Sequence, residues 1–324
     1  MYLTKTMMKK ITIFFIAVIF LYSCKDDSKK ITLEPKFKAG DVYTLDYGID
    51  MDQTVMSMKN NIQMKVGYKL NIKDADAVNG YNIDMGFNRI SMNMKTPSMT
   101  IAYDSDNKNE NANSEDSSSG IGGMMNKMMG TMFGGMLNKS IMVKMSPQGE
   151  VKEVTGFKEI MQAVIDSAET ATPLKREDIE KSMGGTMNEA QIRNTFQQVF
   201  SIYPQKPVSV GETWVREVTT TQGNLPMKVT STYKVAEIIE KDNEVILDVT
   251  GKINSTGDGE ITQSGMTMKM QIDGTQSGKI TVDTKTGFIK QGKITHDMKA
   301  SVETMGQKVP MDMKLVMTIV GKKI

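Results

Sequence analysis

The chain has 324 residues, enough for one or two domains with a sizeable buried core. Its 40 basic and 38 acidic residues nearly balance, which excludes the strongly basic class of nucleic-acid-binding proteins. We therefore predict no nucleic-acid partner. Aromatic residues make up only 6% of the chain, whereas methionine, with 31 residues, is unusually frequent and calls for a physical explanation.

The first 23 residues have the pattern of a secretory signal peptide. Lys5, Lys9 and Lys10 form a basic start, and an apolar run follows from Ile11 to Tyr22. The run is shorter than the roughly 20 residues that a membrane-spanning helix needs. Residues 1–23 contain three of the 40 basic residues and none of the 38 acidic ones, so the chain from Cys24 onward carries a net charge of about −1.

The only cysteine, Cys24, stands at the expected cleavage position, and Leu21-Tyr22-Ser23-Cys24 resembles the lipobox of bacterial lipoproteins. This resemblance implies a lipid anchor of palmitate-like acyl chains on Cys24 and a membrane partner. Lys25, Asp26 and Asp27 resemble the signal that exports lipoproteins of the Bacteroidota type to the outer face of the outer membrane. An ordinary signal peptide that contains a cysteine, followed by a solvated tether, is the alternative.

Residues 24–35 are polar and charged and read as the lipidated tether. Residues 36–155 form a predicted N-terminal β region, in which apolar residues alternate from Ile62 to Ile72 and again from Tyr81 to Phe87. Asn79-Gly80 predicts a hairpin between these strands. The alternation changes phase at Ile90, which predicts a bulge between Gly86 and Arg89, and it changes phase again between Met51 and Met56.

The N-terminal β region is interrupted twice. Residues 105–120 are polar and of low complexity, so we predict a disordered loop. Residues 121–138 place methionines at three- and four-residue spacing, which predicts a helix that Ser118 or Ser119 would cap. Its five glycines weaken that helix, so it needs a surface to lie against. A hairpin over residues 141–154 follows, with its turn at Pro147-Gln148-Gly149.

Residues 156–204 predict a helical segment of three helices, the second beginning at Thr172-Pro173 and the third capped by Asn188. Residues 205–324 predict a C-terminal antiparallel β region with long alternating strands. Gly40-Asp41-Val42-Tyr43 and Gly211-Glu212-Thr213-Trp214 open the two β regions in a similar way, which suggests a duplication. We predict a mainly β fold of two curved, half-barrel-like antiparallel sheets, with helices between them and the methionine-rich helix on the concave side. Chance similarity between two antiparallel sheets is the alternative to duplication.

Residues that support catalysis are sparse. His296 is the only histidine, and the alternation places it on the same strand face as Ile294 and Met298, where a core residue is the commoner outcome. Zinc sites need clustered His and Cys, which the sequence lacks. We predict no catalytic residue, no metal and no cofactor, and hence a protein that is not an enzyme.

Methionine is the remaining candidate for function. The run from Met124 to Met132 would suit Cu(I), but methionines with period two in the strands imply no metal geometry. Methionine fills irregular spaces and adapts to varied partners. The side chains therefore either fill a closed core or line a pocket for an apolar ligand, with the methionine-rich helix as a lid. In the second case the ligand-binding residues are Met124, Met128, Met132, Phe133 and Met136 in the lid and Met266, Met268, Met311 and Met313 in the wall.

The lipobox, the strand opening after Tyr203-Pro204-Gln205-Lys206-Pro207 and the hairpin SPQGEVKEVTGF over residues 146–157 together resemble an uncharacterised family of envelope lipoproteins. The predicted architecture is also similar to the lipoprotein carriers, which bind acyl chains in an open half-barrel. The methionine-faced strands and the glycine-rich apolar helix, which cannot stand alone, lead us to predict a hydrophobic ligand such as an acyl chain. Together with the lipobox and the lack of catalytic residues, they favour a membrane-anchored, non-enzymatic lipoprotein. The alternative is a structural or interaction lipoprotein of the cell surface, with a closed core and no ligand.

Overall fold

A computed structural model describes residues 29–97, 99–107, 121–171, 175–183, 189–222, 225–257, 259–263, 266–304 and 307–324. The predicted signal peptide, Cys24 and the export signal lie outside these ranges, as do the caps at Ser118 or Ser119, Thr172-Pro173 and Asn188 and most of the predicted disordered loop. Residues 31–324 form one unit. Among the described residues, no helix has both the length and the apolar character to cross a bilayer.

The described strands form one antiparallel sheet, which confirms the mainly β prediction. Most strands bury every second residue, as the alternation of apolar residues predicts for a sheet with one packed face. The strands are β1 (Val42–Val55), β2 (Met58–Asp76), β3 (Gly80–Thr96), β4 (Met99–Asp104), β5 (Ser140–Met145), β6 (Val151–Thr155), β7 (Thr213–Gln222), β8 (Leu225–Ile239), β9 (Glu244–Ser255), β10 (Gly259–Gln263), β11 (Met266–Asp283), β12 (Ile289–Thr304) and β13 (Gln307–Lys323).

The first and last strands pair in the middle of the sheet. The strand order is β6-β5-β3-β2-β1-β13-β12-β11-β9-β8-β7, while β4 pairs with β3 and β10 with β11. The β1–β13 ladder runs from Tyr43 opposite Lys323 to Val55 opposite Met311. The two β regions expected from the sequence are therefore the two halves of one continuous sheet.

Local turn chemistry explains both phase changes of the N-terminal half. Met56 and Ser57 have φ angles of 47° and 67°, so they close β1 onto β2 as a tight two-residue turn. In the β2–β3 ladder Gly67 pairs with Arg89 and Tyr68 with Phe87. Asn88 is therefore the extra residue of a bulge, within the predicted range.

Two corners of the sheet, one at Gly40 and one at Gly211, have the same backbone geometry and hydrogen bonds. Gly40 and Gly211 have φ angles of 86° and 88°. The Gly40 N–H donates to the Ile72 carbonyl (2.8 Å), and the Gly211 N–H donates to the Val235 carbonyl (2.8 Å). Ile72 and Val235 each donate back to the residue after the glycine, at 2.9 and 3.0 Å. A bulge follows at the same place in both ladders, after Ile72 and after Val235.

This repeated corner supports a duplication within the sheet. Its hydrogen bonds align Leu70 with Tyr233. The next strands continue this equivalence, and Ile83 aligns with Leu247.

The described residues include four helices, of which the first lies between β4 and β5 and the other three between β6 and β7. They are α1 (Ile121–Met136), α2 (Phe157–Ala171), α3 (Arg176–Met183) and α4 (Glu189–Phe200). A 3₁₀ turn (Glu240–Asp242) also precedes β9.

Helix α4 connects the two edges of the sheet. The Gln197 Oε1 atom accepts a hydrogen bond from the Val151 N–H of β6 at 2.8 Å. The Trp214 Nε1–H of β7 donates to the Ile202 carbonyl, just after α4, at 3.0 Å. Because both edge strands reach the same helical segment, the sheet curves around its apolar face.

The methionine-rich helix α1 packs over the N-terminal half of the sheet. Phe133 and Met136 are buried, and the Phe133 ring lies 5.4 Å from the Tyr103 ring of β4. Gly135 lies against Val164 of α2, where a Cβ atom would be 3.0 Å from a Val164 methyl group. The helix ends at Met136, and two residues later Asn138, with a φ angle of 59°, donates its N–H to the Phe87 carbonyl (2.9 Å) at the bulge of β3.

Candidate functional site

The apolar face of the sheet carries two separate hydrophobic clusters. The first, here called the aromatic end, includes the buried rings of Phe37, Tyr43, Tyr81, Tyr203 and Phe288. The Tyr43 and Phe288 ring centres are 4.4 Å apart, and those of Phe37 and Tyr81 are 5.2 Å apart. The Tyr81 and Tyr203 hydroxyls each donate to a main-chain carbonyl, so this end is closed and its polar atoms are satisfied.

The second cluster is more open, and we call it the methionine cluster. Its half-buried members come from β8, β11, β12 and β13, and only strand residues take part in it among the described residues. The Gln53 amide of β1 donates to the Met311 sulfur at 2.8 Å, so a thioether satisfies a polar group at its border. The buried members are Leu225, Met227, Ile253, Ile272 and Ala300, and the half-buried ones are Val229, Met270, Met298, Met311 and Met313.

A row of polar side chains separates the two clusters, and we call it the polar row. It crosses neighbouring strands at one level: Arg216 of β7 pairs with Ser231 of β8, and Gln276 of β11 pairs with His296 of β12. Gly251 of β9 lies between the two pairs. On β12, for example, Ile294 belongs to the aromatic end and Met298 to the methionine cluster, with His296 between them.

Gly251 lets two members of the polar row meet. The Gln276 amide donates to the Ser231 hydroxyl at 2.6 Å, although their strands are separated by β9. A Cβ atom on Gly251 would lie only 2.7 Å from the Gln276 nitrogen, so a larger residue would block the amide. Glycine is therefore required here for a side-chain hydrogen bond across a whole strand.

Arg216 closes the outer end of the row. Its guanidinium donates through Nε (2.9 Å) and Nη2 to the Tyr203 carbonyl. Because these donors are engaged with the main chain, Arg216 holds the edge strand β7 to the segment after α4.

His296 is the one buried member of the row with an unsatisfied atom among the described residues. Its side chain is 9% exposed, and its Nε2 atom has no hydrogen-bond partner. Burial lowers the pKa of His296 to about 4, despite an opposing contribution from the charge of Asp297. The imidazole is therefore neutral at pH 7 and holds an unused hydrogen-bonding atom inside an apolar surface.

The position next to the polar row is filled by a flexible side chain. Gly274 lies beside Gln276 on the apolar face of β11, and a Cβ atom there would be 2.6 Å from the Met298 Cγ atom. The Met298 side chain thus shares the space above the glycine with the Asp297 carbonyl oxygen (2.8 Å from that Cβ position) and the Met298 Cα atom (3.0 Å) of the β12 backbone. Methionine rotates about three bonds, so the thioether can move across the apolar face while these backbone atoms stay in place.

The structure places the predicted lid and wall in different clusters. Met132, Phe133 and Met136 of α1 belong to the aromatic-end cluster, and Met128 is half-buried on the same helix. Met311 and Met313 belong to the methionine cluster. The side chains of Met124, Met266 and Met268 lie outside the described ones. The described lid residues therefore cover the N-terminal half and do not share a cluster with the described wall residues.

The opposite face of the sheet is polar at the same level. An open depression of about 750 Å³ is lined there by charged side chains, including Asp297, Lys299, Asp312 and Lys314, and Met298 and Met313 also border it. A second groove of about 710 Å³ lies between the edge strands under α4 and is also polar. Within the described parts of the chain, no three His, Cys, Asp or Glu side chains come together as metal ligands. Among the described residues, the polar row and the methionine cluster lie together on the apolar face of the sheet.

Sequence reasoning noted His296 but missed its partners in the row. Gln276 takes a position in the apolar phase of β11, between Ile272 and Ile280, and Ser231 does so in β8. That phase is the signal that could have identified both residues. Their meeting depends on the strand order, which the sequence does not show.

Comparison with known proteins assigns the chain to a family. The profile of a family of unknown function (DUF6263) matches residues 78–289, about two thirds of the chain. The chain belongs to this family. The matched region includes Ser231 and Gln276 of the polar row and ends at the start of β12. None of the curated proteins matches the chain.

Solved structures show only remote similarity. A lipovitellin structure that concerns lipid–protein interactions is 9% identical, with a TM-score of 0.45, and the alignment covers 89% of this chain. The chain spans about a quarter of the length of that lipovitellin chain (25%).

Two outer-membrane-type structures match more weakly. The β domain of the Bordetella autotransporter BrkA is 5% identical, with a TM-score of 0.22 over 86% of this chain and 99% of that one. Pseudomonas aeruginosa OpdQ is 8% identical, with a TM-score of 0.21 over 89% and 100% of the two chains. With TM-scores this low, the similarities carry no argument about function.

Proposed function

We propose that this protein is a membrane-anchored, non-enzymatic envelope lipoprotein that binds a hydrophobic ligand, such as an acyl chain, on the methionine cluster. The observation that supports this is an apolar sheet surface with half-buried methionines and, among the described residues, no helix packed within it. Covering this cluster with a ligand is favourable, because each methylene group removed from water contributes about 0.8 kcal/mol.

Methionine suits such a surface. Its unbranched thioether side chain adapts to ligands of different shape, whereas β-branched residues hold one rotamer. The aromatic end, by contrast, is fully packed, with Tyr43, Leu70 and Ile83 almost inaccessible to solvent. The ligand therefore belongs on the methionine cluster and leaves the closed end undisturbed.

Bound lipid can be sought directly. Native mass spectrometry of protein extracted from its own cells is expected to show an adduct that dissociates as a lipid. Met313→Glu places a charge in the cluster and is expected to remove the adduct. Lys314→Glu, the next residue on the polar face of the same strand, is the matched control and should retain it. Protein that never carries a lipid would favour a structural or interaction lipoprotein with a dry core.

The anchor is a separate part of the proposal, and it rests on the resemblance of residues 21–24 to a lipobox. An alkyne analogue of palmitate fed to cells should label the protein, and Cys24→Ser should abolish the labelling. Replacing Lys25, Asp26 and Asp27 with alanine should leave the label in place and remove the protein from the protease-accessible cell surface. Unlabelled wild-type protein would contradict the anchor without bearing on ligand binding.

A further inference from the structure

The polar row and the methionine cluster adjoin on one face, with the row at the border of the open surface. We propose that His296, Gln276 and Ser231 bind the uncharged polar head of a single-chain amphiphile whose chain lies across the methionine cluster. This inference rests on the proposed function, and it adds the chemical class of the ligand and its orientation.

The first argument is the unused atom of His296. The residues on either side of it on the apolar face, Ile294 and Met298, make no hydrogen bond with Nε2, and the paired residue on β13 is Leu315. A buried polar atom without a partner has lost its hydration and gained nothing in return, which destabilises the folded protein. A ligand hydroxyl or amide beside Nε2 would supply the missing hydrogen bond.

The second argument concerns charge. The three groups of the site are an imidazole, an amide and a hydroxyl, and burial keeps the imidazole neutral by lowering its pKa to about 4. Arg216 lies four strand spacings from His296 along the row, about 19 Å, and its Nε and Nη2 donors bind the Tyr203 carbonyl. A charged head at His296 would lose its hydration without gaining an opposite charge, so an uncharged head is favoured.

The third argument is the space for the first part of the chain. Ile272, Gly274 and Gln276 follow each other on the apolar face of β11, and Met298 covers the glycine. Displacement of the Met298 thioether would let the ligand chain lie over the apolar face from the polar row toward Ile272 and Ala300. The chain then runs along the strands, away from the aromatic end.

Three ten-carbon ligands separate the possibilities: decanol has an uncharged head, decanoate has a negative one, and decane has none. Their affinities for the full chain at pH 8 can be measured by displacement of a fluorescent apolar dye. We expect decanol to bind at least ten-fold more tightly than decanoate. We expect His296→Leu and Gln276→Leu each to weaken decanol binding about ten-fold and to leave decane binding unchanged or tighter.

The matched control is Thr295→Val, the neighbour of His296 on the opposite face of β12, which should change none of the three affinities. Unfolding midpoints of all variants would show that a loss of binding is not a loss of fold. Tighter binding of decanoate than of decanol, or equal effects of the substitutions on decanol and decane, would overturn the uncharged-head site and leave the proposed function intact. Failure of every ligand to displace the dye would overturn both.

Discussion

His296 is a position where binding and stability oppose each other. Its Nε2 atom has no partner, so the folded state bears the cost of a buried, unsatisfied polar atom. We predict that His296→Leu, which fills a similar volume without that atom, raises the free energy of unfolding at pH 7 by about 1–2 kcal/mol. Urea denaturation measures this change. A lower unfolding midpoint for the variant would mean that the imidazole makes a stabilising contact in the folded chain.

The same residue predicts how stability depends on pH. In the unfolded chain His296 takes up a proton below about pH 6.5, whereas in the folded chain it does so only near pH 4. The unfolded state thus binds more protons between these values, and the protein loses stability as the pH falls through this window, by at most about 3 kcal/mol.

His296→Leu is the control for this prediction, because it should flatten the pH dependence between pH 6.5 and 4. Urea midpoints measured at half-unit intervals for both proteins test it. Parallel pH profiles for wild type and variant would show that carboxylates, and not His296, cause the loss.

For single residues, the alternation of apolar positions along the strands predicts which face of the sheet a side chain occupies. It places His296 on the same apolar face of its strand as Ile294 and Met298, as the structure confirms. It does not predict that Gln276 reaches Ser231, because that contact needs a glycine on an intervening strand and a strand order set by long-range pairing.

At the scale of secondary-structure elements, the repeated corner predicts that substitutions at its two glycines have equal effects on stability. Gly40 and Gly211 adopt positive φ angles, and nothing lies within 4 Å of a Cβ atom at either position. Gly40→Ala and Gly211→Ala should therefore each lower the free energy of unfolding by about 1–2 kcal/mol, from backbone strain alone. Denaturant titration of both variants measures this, and a large difference between them would contradict the equivalence of the two corners.

In helix α1, by contrast, a glycine-to-alanine substitution is expected to stabilise the protein. Gly134 is exposed on this helix, and a Cβ atom there would meet open space. Gly134→Ala should raise the thermal unfolding midpoint, with a gain in free energy of up to about 1 kcal/mol, because alanine has the higher helix propensity. Gly135→Ala is the contrasting variant, since its methyl group would press on Val164, and an equal gain there would contradict the packing of α1 on α2.

The elements with local signals are those that the sequence predicts well. The turn after Asn79, the bulge at Asn88 and the hairpin of β5 and β6 follow from turn residues and phase. The β1–β13 ladder joins residues more than 250 positions apart, and no local pattern predicts it. Because this ladder cannot be predicted locally, sequence analysis predicts two separate sheets where the structure has one.

Across the whole molecule, the two ends of the strands differ in how deeply their residues are buried. The same strands contribute fully buried residues to the aromatic end and half-buried ones to the methionine cluster. Local opening costs less where fewer contacts must be broken. We predict that backbone amides near Met311 and Met313 exchange with deuterium faster than those near Ile319 on the same strand, as hydrogen-exchange mass spectrometry can measure. Equal protection along β13 would mean that the sheet opens only as one unit.

The packing of the sheet also determines where the predicted lid lies. Composition and spacing predict a methionine-rich helix, which is present as α1, and Met311 and Met313 of the predicted wall lie in the methionine cluster. Only the fold shows that the described side chains of α1 pack between β4 and α2, on the half of the sheet opposite the wall residues of β13.

The pairing of β1 with β13 has a consequence for the order in which the strands are made. The ribosome synthesises β1 before β13, so one side of β1 has no partner strand until β13 follows. An unpaired strand edge invites association with other copies. Asp46, Asp50 and Asp52 place three negative charges along β1. Charges on a strand oppose its pairing with other copies, so these residues disfavour association of the nascent chain before β13 is present.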